Sequence, residues 1–161
     1  MTRLVLFVRT LLGGHLFEIV ALNYYIMSYR IEEIEGIGPT FAEKLRVAGI
    51  STTEALLEKG ASRKGREAIA EATGISEKLI LKWTNHADLF RIKGVAGQFA
   101  ELLEAAGVDT VKEFRHRVAA NLYPRLVEVN EQRNLCNRVP SVTELEKMIN
   151  QAKELESKVT Y

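Results

Sequence analysis

The chain is poor in the residues that bind metals or cross-link: one cysteine, Cys136, and three histidines, His15, His86 and His116. One thiol excludes an internal disulfide, and these four residues show no zinc-ligand spacing, so no metal or cofactor is expected. A reducing cytoplasm is the simplest setting. Charge of one sign is lacking too. Lys and Arg number 22 against 21 Asp and Glu, so the net charge gives no pull toward nucleic acid and any basic surface must be local. No run of alternating β-branched residues survives inspection, which excludes an evident sheet. There is no GxxxxGK[ST], so the phosphate loop of a P-loop ATPase is absent.

What is present divides at Met27. The first 26 residues, MTRLVLFVRTLLGGHLFEIVALNYYI, are strongly apolar but broken by Arg9, Gly13, Gly14, His15 and Glu18. A bilayer span needs roughly 20 predominantly apolar residues, and a secretory signal needs an apolar run longer than the one that stops at Arg9. Membrane association is therefore not expected. Residues 1–27 read as an apolar extension arising from a mis-assigned start, with a peripheral apolar helix and a membrane anchor as the alternatives; the stretch 1–26 is expected to be dispensable for folding.

From Tyr29 onward apolar residues recur at three- and four-residue steps, in AEKLRVAGI, EALLEKG, REAIAEATGI, EKLILKWTNHADLF, QFAELLEAAGV, LVEVNEQRNL and VTELEKMINQAKEL. That period predicts short amphipathic helices throughout, an all-α fold. Ser51-Thr52-Thr53-Glu54 and Asp109-Thr110-Val111-Lys112 each put a capping side chain before a new helix, Ser76 follows Gly74-Ile75 in the same manner, Pro140-Ser141 opens the last helix, and Gly49, Gly74 and Gly107 end the helices before them. The stretch IEGIGPTFAEKLRVAGI at 34–50 returns 58 positions later as IKGVAGQFAELLEAAGV at 92–108. Gly36 matches Gly94, Phe41 matches Phe99, and Gly49-Ile50 matches Gly107-Val108. Ala68-Ile69 then faces Leu126-Val127 in the same register. After extra residues around EQRNLCNRV the register resumes, with KWTNHADL facing KMINQAKEL at an offset of 65. The chain thus reads as a tandem repeat, with units at 28–89 and 90–158.

These residues carry a family resemblance. GIGPTFAEKLRVAGI resembles the helix-hairpin-helix motif, with Gly36, Ile37, Gly38, Ala42, Leu45, Gly49 and Ile50 filling every place of its pattern. The continuation through STTEALLEKG and ATGISEKLILKW is similar to the small helical N-terminal domain of archaeal and eukaryotic RecA-type recombinases. As a tandem over 28–158, the chain resembles an uncharacterised bacterial family of helix-hairpin-helix proteins, a domain of unknown function. The resemblance implies two small SAM-like helical bundles packed together. Helix-hairpin-helix glycosylases carry a catalytic Asp or Lys after the motif; no such acid–base pair is evident here, and a non-enzymatic protein without a small-molecule substrate is expected.

Two glycines flanking an apolar residue let the backbone turn tightly and leave successive N–H groups at a helix start, where the macrodipole favours an anion. A nucleic-acid phosphate fits there without any base being read. The first turn offers Gly36, Ile37, Gly38, Pro39 and Thr40, with Lys44, Arg63, Lys64 and Arg66 as a basic rim; the second offers Lys93, Gly94 and Gly97. Against this, Glu32, Glu33, Glu35 and Glu43 crowd the first turn, and Ala96 replaces the second turn's middle glycine. The expected partner is DNA or another nucleic acid, held weakly and without sequence preference. The alternative is a protein–protein adaptor whose hairpins are scaffolding. Trp83 reads as core, His86 as a capping or surface histidine, Cys136 as a buried or inert thiol, and SRKGR at 62–66 as either a solvated helix start or a phosphate-facing rim.

Overall fold

The computed structural model describes residues 28–161, and the apolar stretch 1–27 lies outside it, together with the expectations placed there. Among the described residues the fold is all-α. A 3-10 turn at Ile31–Glu33 leads to α1 (Pro39–Val47), α2 (Thr53–Gly60), α3 (Arg63–Thr73), α4 (Glu77–Leu89), α5 (Gly97–Ala105), α6 (Val111–Phe114), α7 (Ala119–Arg133) and α8 (Val142–Glu154). The one β-type pairing among these residues is an isolated antiparallel bridge between Arg30 and Thr52.

Local chemistry sets most boundaries. The side chains of Thr52, Ser62, Ser76, Thr110 and Ser141 each accept a backbone N–H at the start of α2, α3, α4, α6 and α8, a contribution of about 1 kcal/mol per cap. At α8 the cap is reciprocal, because the Glu144 carboxylate accepts the Ser141 N–H in return. Gly74 ends α3 in the left-handed conformation, and Asn134 does the same for α7.

Helices α1 and α2 start 58 positions before their counterparts α5 and α6: α1 at 39 and α5 at 97, α2 at 53 and α6 at 111. Helices α4 and α8 are offset by 65 at both ends. The third helix departs from the expected register. Ile69 and Leu126 are buried, whereas Ala68 is exposed and Val127 only partly covered, so the pairing slips by one residue. The slip follows α6, which is only four residues long where α2 has eight and hands over to α7 through Arg115–Val118.

One continuous apolar core runs from Ile31 to Val159, and α4 lies at its centre. Every residue of α4 from Trp83 onward is buried. The apolar stripe Ile80, Trp83 and Ala87 explains half of this. The polar residues between need partners: Thr84 donates to the Ile80 carbonyl (2.7 Å), and Asp88 accepts the Val111 N–H at 3.0 Å while holding Arg91 at 2.5 Å. Asp88 therefore pins the start of α6 to α4. The chain's last residues also return to the first half, where the Thr160 N–H donates to the Ala61 carbonyl at 2.8 Å.

Candidate nucleic-acid interface

The first glycine turn is built outward from the core. Ile31 donates its N–H to the Ser51 carbonyl (3.0 Å), and the Ile37 N–H closes the turn on the Ile34 carbonyl (3.1 Å). Ile31, Ile34 and Ile37 are buried and anchor it. Gly36 takes φ +87°, a left-handed value that L side chains resist, directly under the Trp83 indole: an added Cβ would sit 3.5 Å from Nε1. Gly38 is different. Its φ of −76° and ψ of 176° suit any residue that precedes proline, and an added Cβ would meet nothing within 4 Å. Neither conformation nor packing demands glycine at that position.

Pro39 opens α1 without an N–H of its own, and the first helical bond is the Ala42 N–H to the Gly38 carbonyl at 3.0 Å. Among the described residues no acceptor meets the N–H of Gly38, Thr40 or Phe41. Three donors therefore face outward at the positive end of a helix. α5 also lacks a side-chain cap, whereas the Ser- and Thr-capped helices satisfy one of their early donors internally.

The second turn repeats the construction with different side chains. Val95 closes it on the Ile92 carbonyl (3.0 Å), and Gly94 takes φ +94° with its missing Cβ 2.9 Å from Met148 Cε. Met148 lies 65 positions after Trp83, so corresponding residues of α8 and α4 roof the two glycines. Ala96 is extended and half-buried, and the Phe99 N–H turns back to its carbonyl at 3.1 Å. Here α8 adds a bond of its own, with Gln151 Oε1 accepting the Lys93 N–H (3.1 Å). The start of α5 touches the segment that leads into the first turn: Gly97, at φ +44°, stands with its missing Cβ 3.8 Å from the Glu33 carbonyl of the 3-10 turn.

The charged residues assort less simply than the sequence suggests. Lys44 and Lys93 are exposed and without an ion pair among the described residues. Glu33 and Glu35 are exposed as well, while Glu32 is engaged by Arg30 at 3.3 Å and by Arg46. The run 62–66 does not assemble at the first turn. Ser62 caps α3, Gly65 packs against the Lys59 backbone, and Lys59 in turn donates to the Ala48 and Gly49 carbonyls at the far end of α1. Arg63 pairs with Glu67 (2.9 Å), Lys64 is exposed, and Arg66 is buried with its guanidinium bonded to the Gly60, Ala61 and Thr160 carbonyls. Arg66 is thus no part of an open rim, because the carbonyls at the end of α2 and the returning C-terminal segment draw it inward.

His86 is a second correction. It is fully buried, with Nε2 2.9 Å from Glu104 Oε2 and Nδ1 without a partner among the described residues, so it ties α4 to α5 instead of capping or facing solvent. Lys82 reaches the same carboxylate at 3.1 Å. Burial raises the Glu104 pKa, but the His86 hydrogen bond and charge and then those of Lys82 outweigh it and hold the carboxyl below its ordinary value. Cys136 is buried and its thiol is pushed up by that burial, an inert setting. No group of His, Cys, Asp or Glu among the described residues is arranged to hold a metal ion, and no helix there is long and apolar enough to cross a membrane.

Among the described residues the structure defines an all-helical fold with two uncapped helix starts, each preceded by a left-handed glycine, the start of the second touching the 3-10 turn that leads into the first. The chain belongs to the family described as Domain of unknown function (DUF4332), matched over residues 35–155, a span that includes both turns. No curated protein and no solved structure matches it.

Proposed function

We propose that the paired glycine turns hold nucleic-acid phosphates, making the protein a non-enzymatic, non-sequence-specific binding module of the helix-hairpin-helix kind. The observation that carries this reading is Gly38. The fold gives no reason for glycine there, yet its open face uncovers the unpartnered N–H groups of Gly38, Thr40 and Phe41. A backbone phosphate approaches such a surface closely only if no side chain intervenes. Lys44 and Lys93 supply the local positive charge that the molecule lacks as a whole.

Fluorescence anisotropy with single-stranded and duplex DNA at two salt concentrations tests the reading. Weak binding with little sequence preference and a steep loss on adding salt is expected, because counterion release supplies most of the free energy. Gly38→Val and charge reversal at Lys44 and Lys93 should weaken it, and Ala96→Gly should leave it unchanged or raise it slightly. A second reading, a protein–protein adaptor, is favoured by the exposed Glu33 and Glu35 at the first turn. Absence of any affinity for nucleic acid at low salt would sink the first reading, and pull-down of a protein partner would then support the second.

A further inference from the structure

Arg66 is 5% exposed, and no carboxylate meets it among the described residues. Its Nη1 donates to the Gly60 carbonyl at 2.9 Å and to the Ala61 carbonyl at 3.0 Å, and its Nη2 to the Thr160 carbonyl at 2.9 Å. Neutral carbonyls solvate a guanidinium without neutralising it. A buried cation is ordinarily paired, and an arginine fork binds an oxyanion more strongly than a carbonyl.

The third carbonyl is supplied from a distance. Beyond α8 the chain returns without helix to the first half and is fastened near its two ends. Arg91 donates to the Glu156 carbonyl at 2.9 Å; Val159 enters the core, and Thr160 N–H bonds to Ala61 at 2.8 Å. Ser157 and Lys158 between these anchors are exposed. The helical turn that carries Arg66 also carries Lys64, exposed and without an ion pair among the described residues, and Arg63, whose bond to Glu67 is of the exposed, weak kind. Three cations thus share one turn, and of the three carbonyls that hold the innermost only that of Thr160 comes from the returning segment.

We propose that residues 156–161 form a strap over a phosphate-binding site made by Arg63, Lys64 and Arg66, and that a phosphate group displaces the Thr160 carbonyl from Arg66. The site is separate from the glycine turns and does not depend on them. When the strap lifts, Arg66 exchanges a neutral acceptor for a charged one, and Arg63 and Lys64 close on the remaining oxygens.

The test uses the full chain in released and locked forms. Val159→Ser removes the apolar anchor without adding charge. Ala61→Cys with Thr160→Cys lets a disulfide fasten the strap where the backbone bond already brings the two residues together. Binding is measured with inorganic pyrophosphate and with a labelled single-stranded oligonucleotide, and amide exchange at Thr160 is followed in the wild type. The released form should bind about tenfold tighter, the equivalent of one charge-assisted contact. Oxidising the locked form should abolish binding at this site, reduction should restore it, and Arg66→Gln in the released form should erase the gain. Pyrophosphate should speed exchange at Thr160. A gain with both probes assigns the ligand as any accessible phosphate group, and a gain with the oligonucleotide alone assigns a phosphodiester strand. Equal binding by locked and unlocked protein, or Thr160 exchange indifferent to pyrophosphate, would overturn the proposal; both readouts remain if Val159→Ser fails to fold.

Discussion

Substituting alanine at the two glycines of the first turn should separate folding from binding. Gly36 sits at φ +87° with only an ordinary contact to Trp83 Nε1 at 3.5 Å, so the cost of Gly36→Ala is backbone strain, about 1–2 kcal/mol. Gly38 sits at φ −76° and ψ 176° with open space at its Cβ position, so Gly38→Ala should stabilise the fold by about 0.4–1 kcal/mol by restricting the unfolded chain. At about 2–4 °C per kcal/mol for a chain of this size, the first variant should melt about 2–8 °C lower and the second about 1–4 °C higher. Thermal circular dichroism measures both. If Gly38 is glycine so that a phosphate can approach, the more stable variant should be the weaker binder in anisotropy, because its methyl group covers the exposed donors. Undiminished binding by Gly38→Ala would refute that reasoning, and an unchanged melt for Gly36→Ala would refute the account of the left-handed turn.

The phenylalanines at corresponding positions of α1 and α5 should not cost the same. Phe99 is buried, and Phe99→Ala should lose about 3–5 kcal/mol; Phe41 is only partly covered, its ring edge-on to Trp83 with centroids 5.1 Å apart, and Phe41→Ala should lose about half as much in chemical denaturation. Equal losses would show that Phe41 is enclosed. Glu104 predicts a pH dependence. Its pKa is lowered by folding, so its stabilising contribution is present above the ordinary value of 4.5 and fades as the pH falls below it. Asp109, raised first by burial and then by Glu113 and Glu104, acts in the opposite sense. Glu104→Gln should therefore flatten the acid side of the melting profile, and an unaltered acid slope would remove the His86–Glu104–Lys82 cluster from the account.

Features fixed within a few residues were legible in the sequence. Ser76 and Ser141 cap helices as expected, and within the capping stretches 51–54 and 109–112 the caps are Thr52 and Thr110, because an N-cap needs only its own side chain and a donor two or three positions on. Gly49 and Gly107 at φ +75° and +85°, and Trp83 in the core, follow from local periodicity in the same way. Residues defined by distant partners were not legible. Arg66 in SRKGR reads as a surface charge until Thr160, 94 positions away, closes over it. His86 reads as exposed until α5 brings Glu104 to its ring. The bond from Thr160 to Ala61, 99 positions apart, likewise has no local signal. The one-residue slip in α7 needed the length of α6, which the pattern VKEF does not set. Of the candidate site, each turn's shape was readable from its glycines, whereas their adjacency was not.

That adjacency depends on α4. The contact runs from Gly97 to the 3-10 turn ahead of Gly36, a missing Cβ 3.8 Å from the Glu33 carbonyl. α4 touches the first turn directly and the second unit through α5 and α6. Trp83 roofs Gly36 on one side, and on the other His86 grips Glu104 of α5 while Asp88 accepts the first N–H of α6. A helix interior made of an indole, an imidazole and a carboxylate is a costly way to build a core, since each buried polar group must find its partner or destabilise the fold. An apolar α4 could pack as well without specifying where α5 sits. The buried polar bonds fix the angle and register of α5 against α4, and with them the second turn's place beside the first. Loosening that register should therefore part the two turns while leaving each one's own geometry intact, so Glu104→Gln gives a way to ask whether phosphate binding needs one turn or both. Reduced oligonucleotide affinity in a folded Glu104→Gln protein, with the Gly38→Ala effect preserved, would mean both.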